Sequence, residues 1–472
     1  MNWILFLPEL YLFLMTAVFF GISMSARPHS RKNFLAALGM AAAGVVITIG
    51  TVGLQGTIFS GVYRVDLFSQ IFKVLLMIGL FLAISLCSEL EGIREDRHPE
   101  FYLLLSVCTL GMMVLVSSVE LLTLYVALEL TSYSLYILVA LRKGRGLQTE
   151  AGIKYFLLGA STSAVMLFGL ASLFGASHTT YLVELIQTLP ELINTPMAFI
   201  GLLLTLSGFF FKLALFPFHV WAPTVYQGAA NQVTTYIATA SKVAAIAILI
   251  RLVALTGGTN LNLAHVLIAL SLLSMTLGNL SAIVQKDFKR LLAYSAVAHA
   301  GYVLVGILSM SETGYAGAIF YAVAYMLMNF TCFLVLVKVA QDGRNLSITE
   351  LAGLHRRSPL LAMALMLAVF SLGGIPPTIG FTGKFMVFTA AMQRGYFYLV
   401  LLAMINVVIS LYYYALIVKA AYLLPPEKEL PEIKLSPGGR AMTLLLVIAM
   451  VGGGLFPARL YALALAAARL VF

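Results

Sequence analysis

The stretch 207–226, SGFFFKLALFPFHVWAPTVY, sets the problem. Lys212 stands inside an apolar run, and Pro217 follows five residues later. A lysine at the centre of a hydrocarbon layer costs about 2.5–3.5 kcal/mol on insertion scales. A proline removes a backbone donor and frees a carbonyl. Freed backbone groups at membrane depth are tolerated where they line a polar, hydrated cavity. Together the two features predict a broken membrane helix with a charge held beside the break.

The rest of the chain supplies the membrane. Of 472 residues, 61% are hydrophobic and only 10% are charged, against about 25% charged in a soluble globular domain. Apolar runs longer than about 18 residues recur from end to end. The fold class is therefore an all-α polytopic membrane protein. The first run, WILFLPELYLFLMTAVFFGI at 3–22, has no basic stretch before it and no small-residue cleavage site after it. It reads as a retained span, not a removed signal peptide. The net charge of +10 reflects basic loops that orient a membrane protein, not a nucleic-acid partner. Cys87, Cys108 and Cys332 each stand alone in apolar segments, without metal or redox spacing, and read as small buried hydrophobes.

Fourteen spans are expected, at 3–22, 34–55, 68–88, 101–117, 119–140, 152–175, 197–216, 231–255, 263–284, 291–309, 315–340, 360–392, 397–423 and 440–464. The twelfth is too long for one plain crossing and carries GGIPPTIGFTG, which should interrupt it at Pro376 and Pro377. Loop charges alternate with this count. Loops on one side hold 17 Lys and Arg, among them Arg27, Arg94, Arg145, Lys286, Arg356 and Lys428, and the other side holds 4. The positive-inside rule puts the 17 in the cytoplasm and both termini outside. No loop is long enough to be a soluble domain, so the function lies within the bilayer.

Eight basic residues fall inside the spans. Lys73, Arg251, Lys338 and Lys419 lie within one or two turns of a span end, where long side chains snorkel to the interface. Lys154 is a few residues inside its span, whereas Lys212, Lys242 and Lys384 are too deep to snorkel or stand beside a break. Glu129 and His299 are equally deep. Structural ion pairs would account for such a set, but buried ionisable groups in membranes more often mark a proton or ion path. Desolvation and a nearby carboxylate push a buried lysine's protonation in opposite directions. Moving a proton against about 150 mV costs about 3.5 kcal/mol, equivalent to changing a pKa by about 2.5. Burial and one displaced counter-ion supply a change of that size.

Broken helices in corresponding places point to inverted repeats. The seventh and twelfth spans lie five apart, an odd offset that reverses orientation. The expected organisation is three N-terminal helices in 1–100, a five-helix repeat in 101–255, an inverted five-helix repeat in 263–423, and a cytoplasmic loop with a last helix in 424–472. No dinucleotide fingerprint, P-loop, cysteine cluster or HExxH is present in the sequence. The energy for transport is therefore expected from partners or from an ion gradient.

Four motifs in order, FFFKLALFPFHVWAPTVYQGA, ASKVAA, KDFKRLLAYSAVAHAGY and SLGGIPPTIGFTGKF, resemble the antiporter-like membrane subunits of respiratory complex I. Among these the chain is similar to the subunit N branch of bacterial NADH-quinone oxidoreductases, related to mitochondrial subunit 2. The resemblance covers essentially the whole chain. It implies the 14-helix fold, a hydrophilic axis through mid-membrane, and proton pumping driven by NADH oxidation and quinone reduction in neighbouring subunits.

By motif, Glu129 is the fifth-helix glutamate, Lys154 the sixth-helix lysine and Lys212 the seventh-helix lysine. Lys242 is the eighth-helix lysine, His299 the tenth-helix histidine and Lys384 the twelfth-helix lysine. In this reading Glu129 pairs with Lys212, and the proton passes Lys242 and His299 toward Lys384. NADH, FMN, iron–sulfur clusters and quinone are expected on the other membrane and peripheral subunits, with no cofactor on this chain. The bacterial inner membrane is the expected location. The family more often carries Asp at Thr224 and a proline-containing run at 229–233, which places the departures in the loop after the seventh span. A related cation/proton antiporter, another membrane-bound redox complex, and a purely structural membrane subunit are the competing readings.

Overall fold

The computed structural model describes residues 3–25, 30–144, 146–258, 260–426 and 431–471. Arg27, Arg145 and Lys428 of the loop-charge pattern lie outside the described residues. Among those described, thirteen helices are long and apolar enough to cross a membrane. The remaining segment of the sequence count, 360–392, forms two short helices, Pro359–Gly373 and Ile379–Gln393, on either side of the two prolines. The seventh-span break is also present: Pro196–Leu213 ends directly after Lys212, and a new helix, Trp221–Gly228, starts beyond Pro217.

Polar residues at the ends of apolar runs set several helix starts, because the first N–H groups of a helix have no partner within it. Glu120 accepts from the N–H groups of Leu122 at 3.0 Å and Thr123 at 2.7 Å. Asp287 accepts from Arg290 N–H at 2.9 Å. Asp66 and Ser69 cap one another's backbone at 2.7 and 3.0 Å.

Several elements were not legible as such in the sequence. Gly56–Ile58 and Tyr63–Val65 form a short antiparallel hairpin. Leu182–Leu192 is a helix inside what reads as a loop, burying Leu182, Leu185 and Leu189 at helical spacing. The eighth span is interrupted, as Asn231–Ala238 and Ala240–Ala254, at Thr239. Thr239 Oγ1 donates to the Thr235 carbonyl at 2.6 Å, the local competition that makes threonine a poor residue for a helix interior.

The chain forms two compact units. The first comprises Met1–Leu213, Gly228–His265 and Ala466–Phe472, and the second comprises Ala214–Gln227 and Val266–Leu465. Glu129, Lys154, Lys212 and Lys242 belong to the first; Pro217, His299, Pro376, Pro377 and Lys384 belong to the second.

The snorkelling expectation fails for two of its four residues. Lys73 is buried and ion-paired with the buried Glu9 at 2.8 Å, with Tyr63 OH donating to the same carboxylate oxygen at 2.6 Å. Arg251 is fully buried against Asp66 at 2.9 Å. Distance from a span end is a poor guide when a carboxylate lies on a neighbouring helix, since a paired charge gains locally what it would gain at the interface. Lys338 is half-buried and Lys419 exposed, as expected of residues near a span end.

Candidate functional site

In the first unit the site rests on close helix packing. Leu147–Ser177 and Pro196–Leu213 approach through glycines: a Cβ on Gly169 would lie 2.5 Å from Thr205 N, and one on Gly201 3.0 Å from Leu173 N. Small residues at a membrane helix interface allow such backbone approach. Ser163 on the first of these helices donates its hydroxyl to Glu129, which is half-buried on Leu121–Ala140.

The expected Glu129–Lys212 ion pair does not form. Lys212 is 4% exposed, and its ammonium has no hydrogen-bond partner among the described residues. Glu129 and Cys108 are the ionisable groups near enough to act on it electrostatically. The carboxylate is occupied by a hydroxyl instead, because Ser163 is within contact and Lys212 is not.

Lys242, 2% exposed, lies in the first turn after the interruption at Thr239. Its ammonium donates to the Leu213 carbonyl at 2.8 Å, the last residue of the helix broken before Pro217. On the other side of the interruption, Tyr236 OH is 2.6 Å from the Thr109 hydroxyl. Lys154 is placed differently. Its side chain is half exposed and paired with Glu150, one turn away on the same helix.

The second unit repeats the carbonyl-capping device in another form. Lys384, 3% exposed, sits on Ile379–Gln393 and reaches back across the break to donate to the Leu372 carbonyl at 2.7 Å. Gly374 has φ +81°, and a Cβ there would lie 3.0 Å from Lys384 Cδ, so the lysine stem passes over a residue without a side chain. The ammonium also lies 4.7 Å from the centre of the Tyr302 ring, within cation–π range.

His299 is buried in a hydroxyl network. Its Nδ1 is 2.6 Å from Tyr321 OH and its Nε2 is 3.1 Å from Tyr414 OH, which is 2.6 Å from Ser295 Oγ. Nearby, Tyr413 OH donates to Asn279 Oδ1 at 2.9 Å, and Asn279 Nδ2 donates to Asn406 carbonyl at 2.9 Å and to Tyr302 OH at 3.3 Å. A neutral imidazole carries a donor on one nitrogen and an acceptor on the other. With a hydroxyl at each, His299 can take a proton on one side and release one on the other.

Sequence reasoning missed the neutral half of this site. Ser163, Tyr321, Tyr414, Ser295, Asn279 and Asn406 carry no charge to flag them. The two asparagines were readable by the cost argument applied to the lysines, since a buried amide in an apolar span also needs partners.

Residues 118–410 match the family described as NADH:quinone oxidoreductase/Mrp antiporter, TM. The chain is 59% identical over 469 residues to NADH-quinone oxidoreductase subunit N 2 of Syntrophobacter fumaroxidans, covering 99% of each chain. The chain belongs to the subunit N family of NADH-quinone oxidoreductases. A chain of respiratory complex I from Thermus thermophilus is similar to this subunit-N-family chain at 34% identity and a TM-score of 0.84, covering 96% of this chain and 98% of that one. A chain of the Mrp complex from a Dietzia species has the same fold at 19% identity and a TM-score of 0.86, covering 99% of this chain and 97% of that one. In this subunit N family member the two breaks with their buried lysines lie within the matched region.

Proposed function

We propose that this chain is a proton-translocating membrane subunit of a bacterial NADH-quinone oxidoreductase. It works beside the other membrane and peripheral subunits of that complex in the inner membrane, with both termini outside the cytoplasm. NADH oxidation and quinone reduction occur on those partners, which hold the flavin, iron–sulfur clusters and quinone. Two inverted five-helix repeats supply the two breaks.

One observation carries the reading: three buried lysines stand at two broken membrane helices, two of them bonded to the freed carbonyls and one, Lys212, without an acceptor. A protonated lysine satisfies the carbonyl that the break exposes; a neutral one leaves that carbonyl to water. The protonation of Lys242 and Lys384 is thereby tied to hydration of the break. The Lys212 amine has no acceptor among the described residues, so what approaches it decides whether it holds a proton. Glu129, through its hydroxyl partner Ser163, is the carboxylate poised to do so. In the second unit His299 hands protons between Tyr321 and the Tyr414–Ser295 pair. Lys154, paired at an exposed position, serves entry from the surface instead of the central path.

The test is NADH-driven acidification of inverted membrane vesicles carrying Lys212→Ala, with assembly followed on native gels. Loss of acidification in an assembled complex supports the role. Unchanged acidification removes Lys212 from the path.

A further inference from the structure

Lys242 rides on a helix that is fixed at both ends to one other helix. We propose that Asp66, Arg251 and Gln232 are positioning residues for Lys242, and that the N-terminal helix Leu67–Ser85 is the frame they use. The proposal rests on the reading of Lys242 as a proton carrier.

At one end, Arg251 Nη2 donates to both oxygens of Asp66, at 3.0 and 2.9 Å. Asp66 also starts the Leu67–Ser85 helix through its cap on Ser69, so this ion pair reaches the backbone of the frame helix. The pair is buried, with Arg251 0% and Asp66 4% exposed, and Asp66 also takes a second, partly exposed cation, Arg64, at 3.2 Å. At the other end, Gln232 Nε2 donates to the carbonyls of Leu86 and Glu89, at 3.4 and 3.3 Å, where the frame helix finishes. The two attachments are 19 residues apart on the Lys242 side. At about 1.5 Å per residue that is about 28 Å, close to the thickness of the hydrocarbon layer. Lys242 lies ten residues from Gln232 and nine from Arg251, at the midpoint.

Between the fixed ends the helix is interrupted once, at Thr239, with φ −115° and ψ −84°, three residues before Lys242. The frame helix is itself held to the first helix by the buried Lys73–Glu9 pair and Tyr63. With both ends held and one interruption between them, a change in the length or angle of the helix is taken up at Thr239. The side chain beside that point is the one that donates to the Leu213 carbonyl. The first helix and the frame helix thus act on the proton path at a distance, by setting how far Lys242 reaches across the break.

The experiment uses the assembled complex in inverted membrane vesicles, with four variants: Lys242→Met, Arg251→Met, Arg251→Lys and Gln232→Leu. NADH-driven acidification is measured per assembled complex and across a pH series. Lys242→Met is expected to abolish acidification. Arg251→Met and Gln232→Leu are expected to lower it by up to about a hundredfold, the scale of loss that a misplacement near 1 Å produces. They are also expected to displace its pH profile, whereas Arg251→Lys, which keeps a charge for Asp66, restores both. Normal acidification in Lys242→Met removes the proton-carrier reading and this proposal with it. A defective Lys242→Met beside wild-type rates and pH profiles in Arg251→Met and Gln232→Leu overturns the positioning role alone. If Arg251→Met fails to assemble, the uncharged change Gln232→Leu decides by the same criterion. A loss of acidification that only tracks loss of assembled complex, with the pH profile unmoved, also overturns it.

Discussion

The two helix breaks solve one problem with different parts. At the first, the freed Leu213 carbonyl receives its proton donor from Lys242, 29 residues along the chain on a separate helix, while Lys212 next to the break has no hydrogen-bond partner among the described residues. At the second, the donor to Leu372 is Lys384, 12 residues on, from the far half of the same broken span. The first break separates two duties, capping a carbonyl and holding a buried amine without a hydrogen-bond acceptor among the described residues, between two lysines. The second gives one lysine the cap and a tyrosine ring. A break therefore does not dictate which helix supplies the ammonium; it dictates only that an ammonium be supplied.

That contrast can be broken by substitution, with the largest effect expected where one residue carries both duties. Lys384→Met should lower NADH-driven proton pumping by about a hundredfold or more, the scale for removing a proton-transfer group, as read by vesicle acidification. Lys384→Arg sharpens the test: arginine can still donate to Leu372 but stays protonated. Assembly should recover on native gels while pumping does not. Recovery of both would mean that Lys384 is a cap and nothing more.

Gly380→Ala comes next. A Cβ there would lie 1.9 Å from the Ser371 carbonyl oxygen, where Gly380 N–H bonds Ser371 Oγ at 3.0 Å. The two halves of the second break must separate, at a cost of about 1–3 kcal/mol for each buried polar group left unpaired. Reduced thermal stability of the complex, with weaker loss for Gly201→Ala, where the nearest backbone is at 3.0 Å, would confirm that the second break is packed more closely than the Leu147–Ser177/Pro196–Leu213 interface.

Tyr321→Phe and Ser163→Ala each remove one neutral hydroxyl, one per unit. Pumping should fall by about tenfold or less, because the neighbouring protonatable group remains and only about 1 kcal/mol of hydrogen bonding is lost. A larger loss for Tyr321→Phe would identify the hydroxyl network around His299 as the more demanding half.

The smallest effect concerns the residue that starts the Leu121–Ala140 helix. Burial opposes the charge on Glu120, but the Thr123 hydroxyl and the N–H groups of Thr123 and Leu122 outweigh it and hold the carboxyl below its ordinary pKa. Its stabilisation is present above the ordinary carboxylate range and is lost as pH falls through the lowered value. Glu120→Gln should cost about 1 kcal/mol or less at neutral pH, with the difference in melting temperature narrowing as the buffer is acidified.

The charged half of the site and both breaks were legible in the sequence, because hydrocarbon makes a lysine or a proline expensive enough to need a reason. Pairings were not. The Glu129–Lys212 pair was inferred from motif and is replaced by a Ser163 contact. Lys73 and Arg251 were read as interfacial by their distance from a span end, yet each is held by a carboxylate, Glu9 or Asp66, on another element. A span boundary is a one-dimensional quantity; a partner on another helix is not. The interruption at Thr239 escaped for the same reason as the hydroxyls, since threonine disturbs a helix without changing its hydropathy.

The helix Leu147–Ser177 has 31 residues, about 46 Å at 1.5 Å per residue, against a hydrocarbon layer of about 30 Å. Tilt absorbs part of the excess, and the remainder emerges into the headgroup region. Lys154 is seven residues from the start of that helix and faces outward with Glu150. This pair therefore sits in the ionic atmosphere of the membrane surface, where attraction decays over about 8 Å at physiological ionic strength. The field it projects there is set by the salt outside as much as by the protein, unlike that of the three lysines sealed within.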